Sequence, residues 1–384
     1  MIDTITISVQ LSEEALNYIL TNIIQIPQST VLGYIRSSYL PDNSVHLSYR
    51  RAIYNYTEDF RLKINFKYTK WYYAPIKKIM FFYNRYIQFF TMYITFSLTQ
   101  ITSAFYNINI NVFNGTPIFV KCFQIQYNHF FSQFFPPSRD ENIDCYLNQL
   151  YNFDLVTVYR IEYSYDFVID PPNLVPLYIK LFNSACIDGT KYKFKRSTRY
   201  KTNSVYLCNN SMAITFYDKH REVLDRLHLH HPAVQDDTIG VLRYEVKLKK
   251  KKLDKLQLSN LTLISAQTAR DILLSYASAV FPTGDFHKFK EISKIINAAD
   301  ITTRQKNILL RIIRSIQTSK SVIRAMEKET LCSASTFRNH LKTFDGLNIS
   351  PLPIPIDAYK AYRLGSLSST TTSTVLPNPL KQIA

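Results

Sequence analysis

Three short runs in which polar and apolar residues alternate constrain this chain most: "VYRIEYSYDF" (158–167), "ITFYDK" (214–219) and "VLRYEVKL" (241–248). Successive side chains of a strand point to opposite faces, so each run divides by parity. In the first, Tyr159, Ile161, Tyr163, Tyr165 and Phe167 share one face and Arg160, Glu162, Ser164 and Asp166 the other. In the second, Met212, Ile214 and Phe216 oppose Ala213, Thr215, Tyr217 and Lys219. In the third, Leu242, Tyr244, Val246 and Leu248 oppose Val241, Arg243, Glu245 and Lys247. The pattern predicts a sheet packed on helices through its apolar face, with the polar face open to a cleft. That open face carries Glu162, Asp166, Glu245, Tyr217, Lys219 and Arg243. Carboxylates able to hold a divalent ion, a tyrosine and cations suit phosphodiester cleavage. A solvated face of mixed charge is the other reading of the same alternation.

The chain has 384 residues, 46% of them hydrophobic and 20% charged, which allows two or three domains with large cores and excludes a disordered chain. Lys and Arg (46) outnumber Asp and Glu (29), a formal charge of +17 that points to a polyanionic partner. The excess is clustered at Lys191, Lys193, Lys195, Arg196, Arg199 and Lys201, and again at Lys247, Lys249, Lys250, Lys251, Lys252 and Lys255. Both clusters flank the strand runs, as expected of nucleic-acid contacts, with a merely solvated basic surface as the other reading. Cysteines at 122, 145, 186, 208 and 332 form no Cys-x-x-Cys pair, which argues against structural zinc and a disulfide framework and fits a reducing cytoplasm. The N-terminus lacks the pattern of a signal peptide. The segment 80–98 is apolar, but Asn84, Arg85 and Gln88 interrupt it, and its Tyr, Phe, Thr and Ile favour buried strands over a membrane span.

The first residues alternate as a strand and run into a helix that Ser12 is suited to cap. Strand-like aromatic sequence follows from about 45 to 135, with Asn114-Gly115 as a hairpin turn. A polar break at 136–142 precedes the catalytic-sheet candidates. Beyond the lysine run, helical spacing takes over. Leu309, Ile312, Ile313 and Ile316 form one stripe, and Phe337, Leu341 and Phe344 another. The last three helices read as a helix-turn-helix with Thr336, Arg338, Asn339 and Lys342 outward, or as a plain three-helix core. The Ser/Thr-rich end reads as a flexible tail. The expected fold class is α+β, an antiparallel sheet packed on helices and followed by an all-α helix-turn-helix region. The expected divisions are 1–135, 136–260, 261–350 and 351–384.

Taken in order, the motifs resemble the replication initiators of filamentous phages and related rolling-circle plasmids. The resemblance rests on the "MIDT" start, Arg160-Ile161-Glu162, Val205-Tyr206-Leu207, Phe216-Tyr217-Asp218-Lys219 with Glu222, and Leu242-Arg243-Tyr244-Glu245-Val246-Lys247-Leu248. A degraded family segment at 97–110 lacks the expected glycine. The resemblance implies a DNA nickase. Its tyrosine attacks a phosphodiester at the origin, keeps the 5′ phosphate and frees a 3′-OH primer. On it, Tyr217 is the nucleophile and Lys219 holds the phosphate or tunes the tyrosine. Glu162, Asp166 and Glu245 are ligands of Mg²⁺ or Mn²⁺, and Arg243 contacts phosphate. Lys193, Arg196, Lys250, Arg338, Asn339 and Lys342 complete the DNA-binding set. The implied partners are single- and double-stranded origin DNA with a host helicase and polymerase, in the bacterial cytoplasm and without a membrane. His228-Leu229-His230 is a competing metal pattern or a loop. A non-catalytic DNA-binding regulator is the principal alternative, and a membrane-associated phage protein the third.

Overall fold

A computed structural model describes residues 2–19, 36–38, 45–50, 61–68, 76–84, 89–97, 140–151, 156–186, 195–196, 204–225, 236–261, 265–328, 332–362 and 375–383. It is α+β, as the periodicities require. The chain opens with strand β1 (Ile2–Leu11) and helix α1 (Glu13–Tyr18), where the Ser12 hydroxyl accepts the Ala15 N–H at 3.2 Å. Five strands follow: β2 (Arg36–Ser38), β3 (Val45–Arg50), β4 (Arg61–Tyr68), β5 (Ile76–Asn84) and β6 (Phe89–Ser97). After helix α2 (Glu141–Tyr151) and strand β7 (Thr157–Val168) come α3 (Val175–Ala185), β8 (Lys195–Arg196), β9 (Ser204–Cys208) and β10 (Met212–Asp218). Helix α4 (Lys219–Asp225), strand β11 (Val241–Lys249) and helix α5 (Lys250–Lys255) complete the sheet region. The helices described beyond residue 265 are α6 (Ala266–Val280), α7 (Phe289–Ala298), α8 (Thr303–Ser319), α9 (Val322–Lys328), α10 (Ala334–Gly346) and α11 (Ile356–Ala361).

These elements fall into two compact units. One comprises Met1–Ser164, Arg226–Val234 and Lys247–Arg270, and the other Tyr165–Asp225, Gln235–Val246 and Asp271–Ala384. Strands β7 and β11 are each divided between them.

In the first unit the strand order is β2-β3-β4-β5-β6-β1-β7, with every neighbouring pair antiparallel. The apolar segment at 80–98 becomes the β5–β6 pair, with Met80 opposite Tyr93 and Tyr83 opposite Phe90. No helix among the described residues is long and apolar enough to cross a membrane. β1 is buried on both faces. Ile5, Ile7 and Val9 lie on one, while Thr4 and Thr6 lie on the other, where the Thr6 and Thr95 hydroxyls bond each other at 2.9 Å. That pairing removes the cost of burying two hydroxyls.

One parity assignment changes here. Thr6 pairs with Arg160 but Ile7 with Val158, so the register skips Tyr159. This bulge turns Val158 into the core and leaves Tyr159 exposed, its edge against the Tyr93 ring at 4.5 Å. Parity counted through a bulge fails on its far side.

In the second unit the order is β7-β11-β10-β9-β8. The β9–β10 turn is closed by Asn209, whose Oδ1 accepts the N–H groups of Ser211 and Met212 at 2.8 and 2.9 Å. Leu242, Tyr244 and Val246 of β11 and Met212, Ile214 and Phe216 of β10 are buried as read. Phe216 is the centre of this core. Its ring stacks on Phe182 and on Tyr244, each at 4.5 Å, and meets Phe281 edge-on at 5.1 Å. Gly240 precedes β11 at φ +75°, where a Cβ would stand 2.8 Å from the Ile169 carbonyl oxygen.

The C-terminal helices bury the stripes foreseen: Leu309, Ile312, Ile313 and Ile316 on α8, and Phe337, Leu341 and Phe344 on α10. Thr302 and Gln305 form a capping box on α8, and Ser333 caps α10. The Ser/Thr-rich stretch 363–374 of the expected tail lies outside the described residues, and the described parts on either side of it carry packed residues. Leu352 and Ile354 are buried, Leu376 bridges to Phe286, and Asn378 is buried with Nδ2 donating to the Pro282 and Gly284 carbonyls at 2.8 and 3.1 Å. Composition averaged over the tail concealed these anchors. Asn114-Gly115, the segment 98–139, Lys193 and His228–His230 lie outside the described residues.

Candidate active site

The motif Tyr217-Asp218-Lys219 spans a strand end and a helix start, and each residue has a separate structural task. Phe216 is pinned in the aromatic core, so the next side chain, Tyr217, must emerge on the opposite face of β10. Asp218 ends the strand, and its Oδ1 accepts the Arg221 N–H at 3.1 Å, as an N-terminal cap does. Lys219 is therefore the first residue of α4 and not a strand residue as read. Its ammonium donates to Glu222 at 2.7 Å, which gives the motif's downstream glutamate a place.

The neighbouring strand supplies the partner of Tyr217. The Tyr217 hydroxyl donates to Glu245 Oε1 at 2.6 Å, a short charge-assisted bond. Arg243, two residues earlier on the same face of β11, forks onto Asp166 of β7. Its Nε reaches Oδ1 at 2.6 Å and its Nη2 reaches Oδ2 at 2.7 Å. The phenol of Tyr217 is held well above its ordinary range. Burial is the main cause, the negative charge of Glu245 the next, and their hydrogen bond and Glu222 add to it. Arg243 acts in the other direction, favouring the phenolate. At neutral pH the site thus holds a protonated phenol, a carboxylate that accepts its proton, and a fixed guanidinium.

Glu162, read with Asp166 and Glu245 as one ligand set, is buried in the first unit. It is ion-paired to Lys247 at 2.9 Å and to Arg160 at 3.3 Å. Each of the three carboxylates thus has its own partner. Among the described residues no group of three His, Cys, Asp or Glu side chains is placed to hold a metal.

The remaining sequence candidates are dispersed. Arg196 lies on β8, whose backbone pairs it with Leu207. Lys250 is half-buried at the start of α5 and pairs with Asp254 at 2.7 Å, a contact that with Ser259 holds that carboxyl below its usual range. On α10, Asn339 and Lys342 are exposed, whereas Arg338 is half-buried with its Nε enclosed and unpartnered.

Residues 112–277 match the phage family described as replication-associated protein, N-terminal region, of the filamentous-phage gene II type. That stretch of the chain is similar to this family over its matched length. The gene II-type region contains β7 to β11 and with them Tyr217, Lys219, Asp166, Arg243 and Glu245; α7 to α11 lie beyond it. No curated protein matches the chain. The Tyr217–Glu245 bond is what sequence reasoning missed inside the gene II-type region. The shared face and the order of motifs placed both residues, but only strand adjacency makes them partners.

Proposed function

We propose that this chain is a rolling-circle replication initiator that nicks one strand of origin DNA through Tyr217. The observation that supports this reading is the Tyr217–Glu245 hydrogen bond inside the gene II-type region. Tyr217 Oη attacks the scissile phosphorus as its proton passes to Glu245 Oε1. A Tyr–O–P bond forms, the P–O3′ bond breaks, and the departing 3′ oxygen takes a proton to become the primer hydroxyl. Attack and proton loss occur together, because a free phenolate is scarce at neutral pH when the ordinary pKa is already about 10. Arg243, oriented by Asp166, offsets charge on the phosphoryl oxygens, and Lys219 serves the same phosphate. The phosphotyrosine conserves the ester, so a 3′-OH can reverse the step and rejoin the strand.

The resemblance implies Mg²⁺ or Mn²⁺. The ion would polarise the scissile phosphate; Asp166 and Glu245 would hold it only after exchanging their present partners, Arg243 and Tyr217. Exposed Asn339 and Lys342 on α10 suit a helix-turn-helix reading duplex DNA, and the basic run through α5 suits a backbone contact. A host helicase and polymerase in a bacterial cytoplasm follow from the same reading.

The test incubates single-stranded origin oligonucleotides with wild type and Tyr217→Phe in Mg²⁺ or Mn²⁺, then separates them on a denaturing gel. A protein–DNA adduct present only in wild type is expected. An adduct in both moves the nucleophile elsewhere, and tight duplex binding without any adduct favours a non-catalytic regulator.

A further inference from the structure

The second polar patch of the sheet lies wholly within the first unit and takes no part in the chemistry above. On one face of β7, Arg160, Glu162 and Ser164 follow at alternate positions, and β11 contributes Lys247. Glu162 is nearly enclosed, yet it holds two cations. Lys247 Nζ is 2.9 Å from its Oε1, and Arg160 Nη2 is 3.3 Å from the same oxygen. One carboxylate between two cations leaves the patch with a net positive charge. Two of its polar atoms, Arg160 Nε and Ser164 Oγ, are buried with no hydrogen-bond partner. Ser164 is entirely buried. Leaving such atoms unpaired costs free energy, so a native patch of this kind ordinarily has a ligand or ordered water.

The side chains of Arg160 and Lys247 are about one-third open to solvent, at 32% and 29%, against 10% for Glu162. Lys247 uses one of its three donors on Glu162, and Arg160 one of its five. The arrangement is a carboxylate that sets the spacing of two partly exposed cations. An isolated metal ligand would not be surrounded in this way, because two cations on one carboxylate repel a divalent ion.

We infer that Arg160 and Lys247, spaced by Glu162, grip a backbone phosphate of the bound DNA strand other than the one that is cut. The inference rests on the proposed nickase reading and assigns Glu162 to DNA binding instead of to metal. Phosphate contacts of this kind carry no sequence information and position the strand. They also release counterions, so each contributes to the salt dependence of binding.

The test measures anisotropy of a labelled single-stranded origin oligonucleotide from about 50 to about 300 mM NaCl with EDTA present. Tyr217→Phe serves as the parent, so that no covalent adduct forms. Adding Arg160→Gln and Lys247→Gln together is expected to lower the slope of log K against log salt by about 0.7, the contribution of one single-strand phosphate. Arg160→Lys with Lys247→Arg is expected to keep the parent slope, which separates a missing charge from a misfolded patch. An unchanged slope in the Gln pair, with the parent binding normally, overturns the subsite. So does an equal drop in the charge-conserving pair. A parent that binds no DNA, with no adduct in wild type, overturns the nickase reading as well.

Discussion

Replacing Glu245 by Gln removes the proton acceptor from Tyr217 while keeping an oxygen at the 2.6 Å position, so the local structure should survive. The magnitude follows from the site. A positioned general base is worth about 10²- to 10⁴-fold, which is about 2.7 to 5.4 kcal/mol at about 1.36 kcal/mol per decade. Two effects then compete. Without Glu245 the phenol loses one of the charges that raise it, which makes proton loss to solvent easier. Burial, the larger cause, remains, so fewer than about one phenol in a hundred is ionised at pH 8 even if it returns to its ordinary value of about 10. The base therefore dominates. We expect adduct formation at saturating DNA to fall about a hundredfold or more near pH 7.5, and the deficit to shrink by about tenfold per pH unit as hydroxide replaces the base. The assay is a single-turnover time course of the covalent adduct from about pH 6.5 to about 9.5. A Glu245→Gln rate within about threefold of wild type at pH 7.5 would refute the proton-acceptor role. A rate restored by tenfold more Mg²⁺ or Mn²⁺ would show instead that a metal ligand had been removed, since added metal does not replace a base.

Two further outcomes concern the framework around the site. A Cβ on Gly284 would stand 2.3 and 2.4 Å from the carbonyl carbon and amide nitrogen of Ile349, where Asp285 and Ile349 form a bridge. Gly284→Ala must therefore move backbone and should cost about 1 to 3 kcal/mol, read as a lower urea midpoint; an unchanged midpoint would contradict the packing there. Burial raises the phenols of Tyr163, Tyr178, Tyr217 and Tyr244. Their folded pKa values exceed the unfolded value of about 10, so the stability they contribute is complete below that pH and is lost above it. Four phenols ionising only in the unfolded chain make the loss as large as about 5 kcal/mol per pH unit, and a urea midpoint that stays constant from pH 9 to 11 would exclude it.

Much of the fold was legible because it depends on local periodicity. The alternation of β10 and β11, the apolar stripes of α8 and α10, and the cap at Ser12 all arise from neighbours within a few residues, where geometry is fixed by the backbone. The tyrosine was legible for the same reason. Phe216 buried on one face forces Tyr217 to the other, whatever else the chain does.

Tertiary structure decided which side chains on the polar face meet. Parity assigned Glu162, Asp166 and Glu245 to one face but said nothing of their partners, which come from other strands: Lys247 for Glu162, Arg243 for Asp166 and Tyr217 for Glu245. The bulge at Tyr159 shows the same limit, because register belongs to a pair of strands and not to either one. The tail anchored by Asn378 became visible only when the backbone carbonyls of Pro282 and Gly284 were in place to accept its amide. By itself the sequence determined the elements, their faces and the order of the motifs, because those depend on residues close along the chain. Strand adjacency, burial and the pairing of charges required the fold, because they depend on residues far apart along it.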